Sequence, residues 1–261
     1  PRPVELEIPW DVLTEDCTAE LENPKLPSNQ AINEDSITLA TDLLERACFP
    51  LIWAGGGVIA SGGSKELLQL ATTLNAPVIT TPEGKGSIPE EHPHSLGVYY
   101  YGHGPSQLAM PQVDVILAVG TRFYLSPKPS WAIQDHQKLI HIDIDPAELG
   151  RSYPTEVSIA SDAQLALQAL ASRLQGKYTS SCWTKADIAS IKQSAANHVQ
   201  TLAPFQNDII RTLRKQLADD AIVVSGITNI GYWSHLAFPV RQPRSYVTSS
   251  YFATLGFAFP T

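Results

Sequence analysis

Cysteine is scarce in this sequence: Cys17, Cys48 and Cys182 are the only three among 261 residues. No two of them form a C-x-x-C pair or a zinc-ligand spacing. So sparse and odd a set reads as free thiols in a reducing compartment, which makes a cytoplasmic location the expectation. Methionine occurs once, at Met110, and the chain opens on Pro1. No apolar run approaches the roughly 20 residues that span a bilayer, and no signal peptide opens the chain, so no membrane association is expected. Cations are outnumbered, with 18 Lys and Arg against 26 Asp and Glu and a formal charge of −8. Nucleic-acid binding draws on a surplus of Lys and Arg to displace counterions, so no nucleic-acid partner is expected either. A G-x-S-x-G elbow is missing, which removes support for serine-hydrolase chemistry. Lys85 stands between Gly84 and Gly86, but the five-residue lead-in of a Walker loop is absent. No short-period repeat or low-complexity tract occurs.

What remains is an ordinary globular composition, 43% hydrophobic and 17% charged, incompatible with disorder. The length allows one large domain or two small ones. The chain closes on an apolar, aromatic stretch from Ser245 to Thr261, whereas natural termini tend to be polar and loosely held. A segment cut from a longer polypeptide is therefore expected.

Val4, Leu6 and Ile8 alternate with Glu5 and Glu7, the pattern of a short half-exposed strand over residues 1–9. A polar, Pro-containing linker follows to Gln30. Asn33 is placed to cap a helix from about Glu34 to Cys48, with Ile37, Ala40, Leu43, Leu44 and Ala47 on one stripe. Apolar runs then alternate with helical segments: Leu51–Ala54, a helix over Ser64–Leu74, Pro77–Thr81, a Gly- and Pro-rich loop, a short helix near Ser106–Met110, Val113–Val119, Lys138–Ile144, Glu156–Ile159, and a helix over Asp162–Leu174. Continuous apolar runs alternating with helices predict an α/β fold, a doubly wound, Rossmann-like parallel sheet covered on both faces. Residues 176–204 are polar and helix-prone, a second connector. A new unit follows, with a helix over Phe205–Leu217, a strand over Ala221–Val224, a helix near Thr228–Leu236 and a strand over Ser245–Thr248.

In such a sheet ligands bind beyond the carboxyl ends of the strands. Gly55–Gly57, Thr80–Thr81, Gly120–Arg122 and Asp143–Asp145 stand there. Gly55 to Ala60 formally satisfies G-x-G-x-x-G/A, yet Ser61-Gly62-Gly63 follows and the helix is expected to start only after it. No acidic residue closes the next strand, so a nicotinamide site is disfavoured. Asp143 and Asp145 alternate with Ile142 and Ile144, which puts both carboxylates on one strand face. There they would accept ribose hydroxyls or cap the turn after Pro146. Arg122 would meet a phosphate or one of those aspartates. His92, His94 and His103 cluster in the long loop without the acidic or Cys partners of a metal site. These residues suggest a nucleotide-sized site but supply no nucleophile and no acid–base pair.

The order of the segments carries more. A PRPVELEIP strand, AGGG, TTPEGKGSIPEEHPHSLG, YGHGP, DVILAVGTRF, IHIDIDPAELGR and SDAQLALQAL together resemble the thiamine-diphosphate-dependent enzymes of the acetolactate synthase type, over essentially the whole chain. The resemblance implies three domains in an intact protein. Residues 1–30 would be the tail of the pyrimidine-binding domain and a linker, 31–175 the complete central domain, 176–204 a connector, and 205–261 the truncated start of the diphosphate-binding domain. It implies an enzyme that decarboxylates a 2-oxo acid and transfers or releases the acyl or aldehyde unit, with thiamine diphosphate and Mg²⁺, as a homodimer or homotetramer. The catalytic glutamate and the G-D-G…N magnesium motif would lie outside this chain, so no catalytic residue or metal ligand is expected within it, and the chain alone is expected to be inactive. Leu255 matches the apolar residue that props the cofactor in its bent form, and Asn229 falls beside the diphosphate. Gly56, Gly57, Arg122, Asp143 and Asp162 match the positions nearest FAD or ADP in members that bind one. In the acetolactate synthase branch such a flavin takes no part in net redox chemistry. Three departures stand out: Ile230 replaces a hydrogen-bonding residue, Gly226 an Asp, and Tyr124–Lys128 a charged, Arg-containing run. The competing class is a stand-alone FAD- or ADP-binding module without catalysis.

Overall fold

The computed structural model describes residues 5–16, 18, 32–100, 103–123, 133–177, 179–249 and 253–259. Helix α1 (Glu34–Arg46) begins where the Asn33 side chain accepts a hydrogen bond from the Ser36 N–H at 3.1 Å, with Glu34 and Asp35 in its first turn. An N-cap acceptor and early carboxylates both suit the orphan N–H groups of a helix start. Strand β1 (Pro50–Ala54) follows, then α2 (Gly56–Ser61), α3 (Ser64–Leu74), β2 (Val78–Thr80), β3 (Ser95–Val98), α4 (Ser106–Ala109), β4 (Val115–Val119), β5 (Lys138–Asp143), β6 (Val157–Ala160) and α5 (Ala163–Leu174). The six strands form one sheet in the order β3-β2-β1-β4-β5-β6, and every pairing is parallel.

Both faces of this sheet are covered, which is why its strands read as unbroken apolar runs. Ile52, Ala54, Leu117, Val119, Ile140 and Ile142 pack against α1, α3 and α5 on one face. Their alternate neighbours Leu51, Trp53, Ile116, Ala118 and Leu139 turn to the other face, where Trp183, Ile188 and Ile191 cover them. Ile188 and Ile191 belong to α6 (Lys185–Leu202), which opens on a capping box between Thr184 and Asp187. A second group of elements follows: α7 (Pro204–Gln216), β7 (Val223–Ser225), α8 (Asn229–Ala237) and β8 (Tyr246–Thr248). Strands β7 and β8 pair in parallel, and Ile210, Phe238, Val240 and Tyr246 form a small core of their own.

The doubly wound α/β expectation holds for the large sheet. Four local expectations do not. Residues 5–9 belong to no strand; alternation alone makes no strand where no partner supplies hydrogen bonds, and residues 1–4 lie outside the described residues. A helix starts at Gly56, directly after β1, instead of only after Gly63; Gly62, in the left-handed region at φ +80, ends it before α3 begins. The Gly- and Pro-rich loop contains a strand, β3, hidden from a periodicity reading by its four-residue length and by a glycine within it.

The fourth correction concerns the thiols. Cys48 and Cys182 are joined in a disulfide across a sequence separation of 134, with Cα atoms 4.9 Å apart. Cys48 sits between α1 and β1, and the segment leading into α6 returns along the amino end of β1. There the Trp183 indole N–H donates to the Pro50 carbonyl at 2.9 Å, and the Asn75 side-chain amide to the Trp183 carbonyl. Linear spacing carries no sign of such a return. Cys17 lies outside the described residues.

Candidate functional site

The strand order turns back on itself between β1 and β4, the crevice where doubly wound sheets receive ligands. The loops leaving these two strands are in direct contact. The Gly55 N–H donates to Val119 O at 2.8 Å and the Gly57 N–H to Gly120 O at 3.0 Å. A Cβ on Gly57 would lie 2.6 Å from Gly120 Cα, and Gly120 itself has φ +58. The glycines at Gly55, Gly57 and Gly120 are thus required by backbone meeting backbone. Gly56, which would bring a Cβ within 3.1 Å of Glu83 Cβ, occupies the first turn of α2, where the helix cannot engage its N–H.

Asp143 ends β5, buried beside His141. Its Oδ1 accepts the Asp145 N–H at 2.9 Å. Burial raises its carboxyl above the usual range, against that hydrogen bond and the nearby His141 and Arg122. Asp145 lies past the strand end and caps its own turn through the Ala147 N–H, so the two carboxylates do not share a strand face. His141 Nε2 lies 2.9 Å from Thr121 O while its buried Nδ1 meets no partner among the described residues, and burial pulls its pKa down. Arg122 is 47% exposed, with Nε 3.9 Å from a Glu148 oxygen. Asp162 is the N-cap of α5, its Oδ1 accepting from the Gln164 and Leu165 N–H groups. The strand ends therefore gather Gly56, Gly57, Arg122 and Asp143 at one edge. Most of their polar atoms are engaged within the fold, which leaves the Gly56 N–H, the second Asp143 oxygen and the exposed part of the Arg122 guanidinium, whose pairing with Glu148 is long, for a ligand.

A second place lies against α8. Asn229, in its first turn, lines a hollow of about 490 Å³ with Tyr100, His103, Tyr232, Trp233 and Leu236. The Asn229 Oδ1 accepts from the Gln206 side chain at 2.6 Å. Thr228 caps the helix through the Gly231 N–H, and a Cβ on Gly231 would collide with Gly226 O at 2.0 Å. Ile230 offers no polar group there. Leu255 is 78% exposed, in a turn where Ala258 Cβ comes within 3.1 Å of a Cβ built on Gly226. The structure does not bring Asn229 and the strand-end residues into one pocket. Tyr124–Lys128 and Pro260 lie outside the described residues.

Sequence reasoning passed over the joint between these places. Lys85 is fully buried, and its Nζ donates to both Glu90 oxygens at 2.7 and 2.6 Å and to His235 O at 3.0 Å. Glu90 Oε2 also accepts the Val240 N–H, so one ion pair ties the loop after β2 to the elements around α8. His235 stacks on Tyr100 with centroids 4.5 Å apart, and burial with Lys85 nearby lowers its pKa to about 4. The nearest signal in the sequence was Lys85 itself, a cation between two glycines of which Gly84 presses on Ala54 O. The histidines of the loop divide. His92 and His94 pair at 5.5 Å, and His103 faces His198 at 6.0 Å. Among the described residues no three His, Cys, Asp or Glu side chains converge as metal ligands would. No described helix is long and apolar enough to cross a membrane.

Comparison with known proteins adds the family level. A family model described as the thiamine pyrophosphate enzyme central domain matches residues 37–170. The chain is 30% identical over 292 residues to a probable acetolactate synthase large subunit of Methanococcus aeolicus, covering 100% of this chain and 48% of that protein. It is 31% identical over 292 residues to the corresponding probable subunit of Methanocaldococcus jannaschii, covering 100% and 47%. A probable 2-ketoarginine decarboxylase of Pseudomonas aeruginosa is 30% identical over 266 residues, covering 100% and 46%. The chain spans just under half the length of these relatives.

Proposed function

From the premise that this chain belongs to the thiamine pyrophosphate enzymes, through their central domain, we propose that the polypeptide carrying it is a thiamine-diphosphate-dependent enzyme acting on a 2-oxo acid. It decarboxylates that acid and transfers or releases the resulting acyl or aldehyde unit, as an acetolactate synthase-like carboligase or a lyase. The observation that carries this reading is the family match over residues 37–170, flanked by full-chain similarity to an acetolactate synthase and a 2-ketoarginine decarboxylase.

Residues 31–175 then serve as the central domain, 205–261 as the start of the diphosphate-binding domain, 176–204 as the connector, and 1–30 as the tail of a preceding domain and its linker. When bound, thiamine diphosphate supplies the electron sink that makes loss of carbon dioxide from a 2-oxo acid feasible. The hollow at α8 fits one wall of its site: it opens at a helix start, where N–H groups favour anionic oxygen, and carries the Asn229 amide at its edge. Leu255, exposed on its turn, offers a branched apolar surface that shapes a ring's seat without competing for protons. Mg²⁺ ligands and the proton-transferring carboxylate are assigned to parts of the polypeptide outside this chain. Tyr100, Tyr232, Trp233 and Leu236 line the hollow with apolar and aromatic surface, which excludes water and strengthens the electrostatic contacts inside. A flavin or adenine nucleotide on the central sheet would meet Gly56, Gly57 and Arg122, with Asp143 and Asp162 at the neighbouring strand end; Arg122, half-exposed and paired with Glu148 only at 3.9 Å, is placed to meet its phosphate. The assembly is a homodimer or homotetramer. A cytoplasmic location is compatible with the Cys48–Cys182 bond only where an oxidant closes it, because that compartment keeps thiols reduced.

The test is carbon dioxide release from pyruvate and longer 2-oxo acids by the full-length polypeptide with thiamine diphosphate and Mg²⁺. Turnover that requires both additions is expected, and none from the 261-residue chain alone. Cofactor-independent turnover, or full activity in the short chain, would contradict the assignment.

A further inference from the structure

Apart from both places described above, a cleft of about 420 Å³ lies between β3, at the edge of the sheet, and α6, α7 and α8. Its origin can be followed along the chain. β3 pairs with β2 through Ser95↔Val78 and then Gly97↔Ile79, so the register shifts at Leu96. Gly97 takes φ +75, and a Cβ there would meet nothing within 4 Å. A bulge bends an edge strand and re-aims its groups, and here it leaves space beside the passing helix. On α6, Ile188, Ile191, Ala195 and Val199 are buried. Lys192, Ala196 and Gln200 recur beside that stripe at the spacing of neighbours on one helix face, and all three line the cleft.

The charges around this space do not balance. Glu90 is in the wall, but its carboxylate is neutralised by Lys85 and accepts the Val240 N–H. Lys192 Nζ donates to Glu90 O at 3.1 Å and to His92 O at 3.0 Å. Both partners are carbonyls, and an ammonium has a third N–H to give. Burial pulls the Lys192 pKa down, and no carboxylate lies within ion-pair distance of it among the described residues. Arg211 of α7 lines the same cleft, also without an ion pair among the described residues. Gln200 accepts from the Asn207 amide through Oε1, which leaves its own NH₂ to donate. The remaining wall combines apolar surface, with Leu96, Val199, Leu236 and Ala237 prominent, and the polar Ser95, Gln193, Asn197 and Asn207.

We propose that this cleft binds a small aliphatic monocarboxylate. Lys192, Arg211 and Gln200 hold the carboxylate, and the alkyl body lies against Leu96, Val199 and Leu236. A cleft of this size with apolar surface on one side and convergent polar groups on another suits a small-molecule site. A bound carboxylate adds a counter-charge at contact distance to the weaker attraction that Glu90 and Glu91 exert on Lys192. Phosphate would leave the apolar part of the wall unfilled. The cleft shares the Leu236 wall with the hollow at α8 but none of its polar groups, and the proposal does not depend on the assignment of the activity.

The experiment is calorimetric titration of the full-length polypeptide with hexanoate, hexanamide and inorganic phosphate. Saturable hexanoate binding is expected, with no detectable hexanamide binding and phosphate at least about tenfold weaker. Lys192→Met should weaken hexanoate about tenfold or more, since a charge-assisted hydrogen bond is removed. Ala196→Trp changes an exposed residue at the mouth; it should abolish binding while the melting temperature stays put. Absent saturation, equal binding of hexanamide, tighter binding of phosphate, or hexanoate binding indifferent to both substitutions would each overturn the proposal.

Discussion

Among single residues, the largest consequences fall on titratable groups taken out of water. In the fully buried position of Lys85, two carboxylate oxygens and a carbonyl surround Nζ. Burial is the larger influence on it and lowers its pKa, while Glu90 opposes that shift. His235 has no such partner. Its Nδ1 is buried and unpaired among the described residues, and its pKa falls to about 4 from 6.5. A histidine with a depressed folded-state pKa is neutral in the fold while the unfolded chain still binds a proton. Its contribution to stability is complete above the unfolded value, declines as pH falls from about 6.5, and is gone below about 4. The whole effect is on the order of 3 kcal/mol. Denaturant unfolding at pH 7.5 and pH 5 should show a lower midpoint at the acid value. His235→Phe, which keeps the ring stacked on Tyr100, should flatten that dependence. An unchanged pH profile in the variant would place the effect elsewhere.

Between elements, the decisive contact is the crossing of the loops that leave β1 and β4. Gly57 and Gly120 touch through backbone alone, so neither position has room for a side chain. Gly57→Ala should destabilise the protein by about 2–3 kcal/mol through overpacking. Gly97→Ala, where a Cβ meets open space, should cost only about 1 kcal/mol for its left-handed backbone. Comparing denaturant midpoints of the two variants checks this, and equal losses would show that space at the crossing is not the cause. The element boundaries show what could be read in advance. The Asn33 cap and the span of α3 were legible because helix signals are local. β3 was not, since a four-residue edge strand with a central glycine has no period to detect. The early start of α2 was missed for a related reason: Gly56 and Gly57 have poor helix propensity, and tertiary contact with Gly120 overrides it.

For the whole molecule, the Cys48–Cys182 bond is a covalent tie between distant parts of the chain. It closes a long loop, its ends 134 positions apart along the chain. In the chain-entropy account such a loop is worth about 4–5 kcal/mol, through restriction of the unfolded chain. Cys48→Ser should therefore lower unfolding stability under oxidising conditions and change little under reducing ones. Mass spectrometry after thiol alkylation should find Cys48 and Cys182 protected together in the oxidised protein. Free alkylation of both would remove the bond. The pair ties the start of β1 to the lead of α6, the helix that also borders the proposed carboxylate cleft, so loss of the bond should loosen that helix first.

The sequence by itself determined the doubly wound α/β architecture of the large sheet and the family, because both rest on local periodicity and on the order of short motifs. It also located the strand-end residues Gly56, Gly57, Arg122 and Asp143, since ligand crevices follow from where apolar runs stop. Only the tertiary structure decided which of these groups are free. Gly57 spends its N–H on Gly120, Asp162 its carboxylate on the first turn of α5, and Asp143 one oxygen on its own turn. The same holds for the disulfide, the contact of Lys85 with His235 O, the hollow at Asn229 and the cleft at Lys192. Each joins residues far apart along the chain, and their meeting is a product of how helices and sheet pack, which no local pattern encodes.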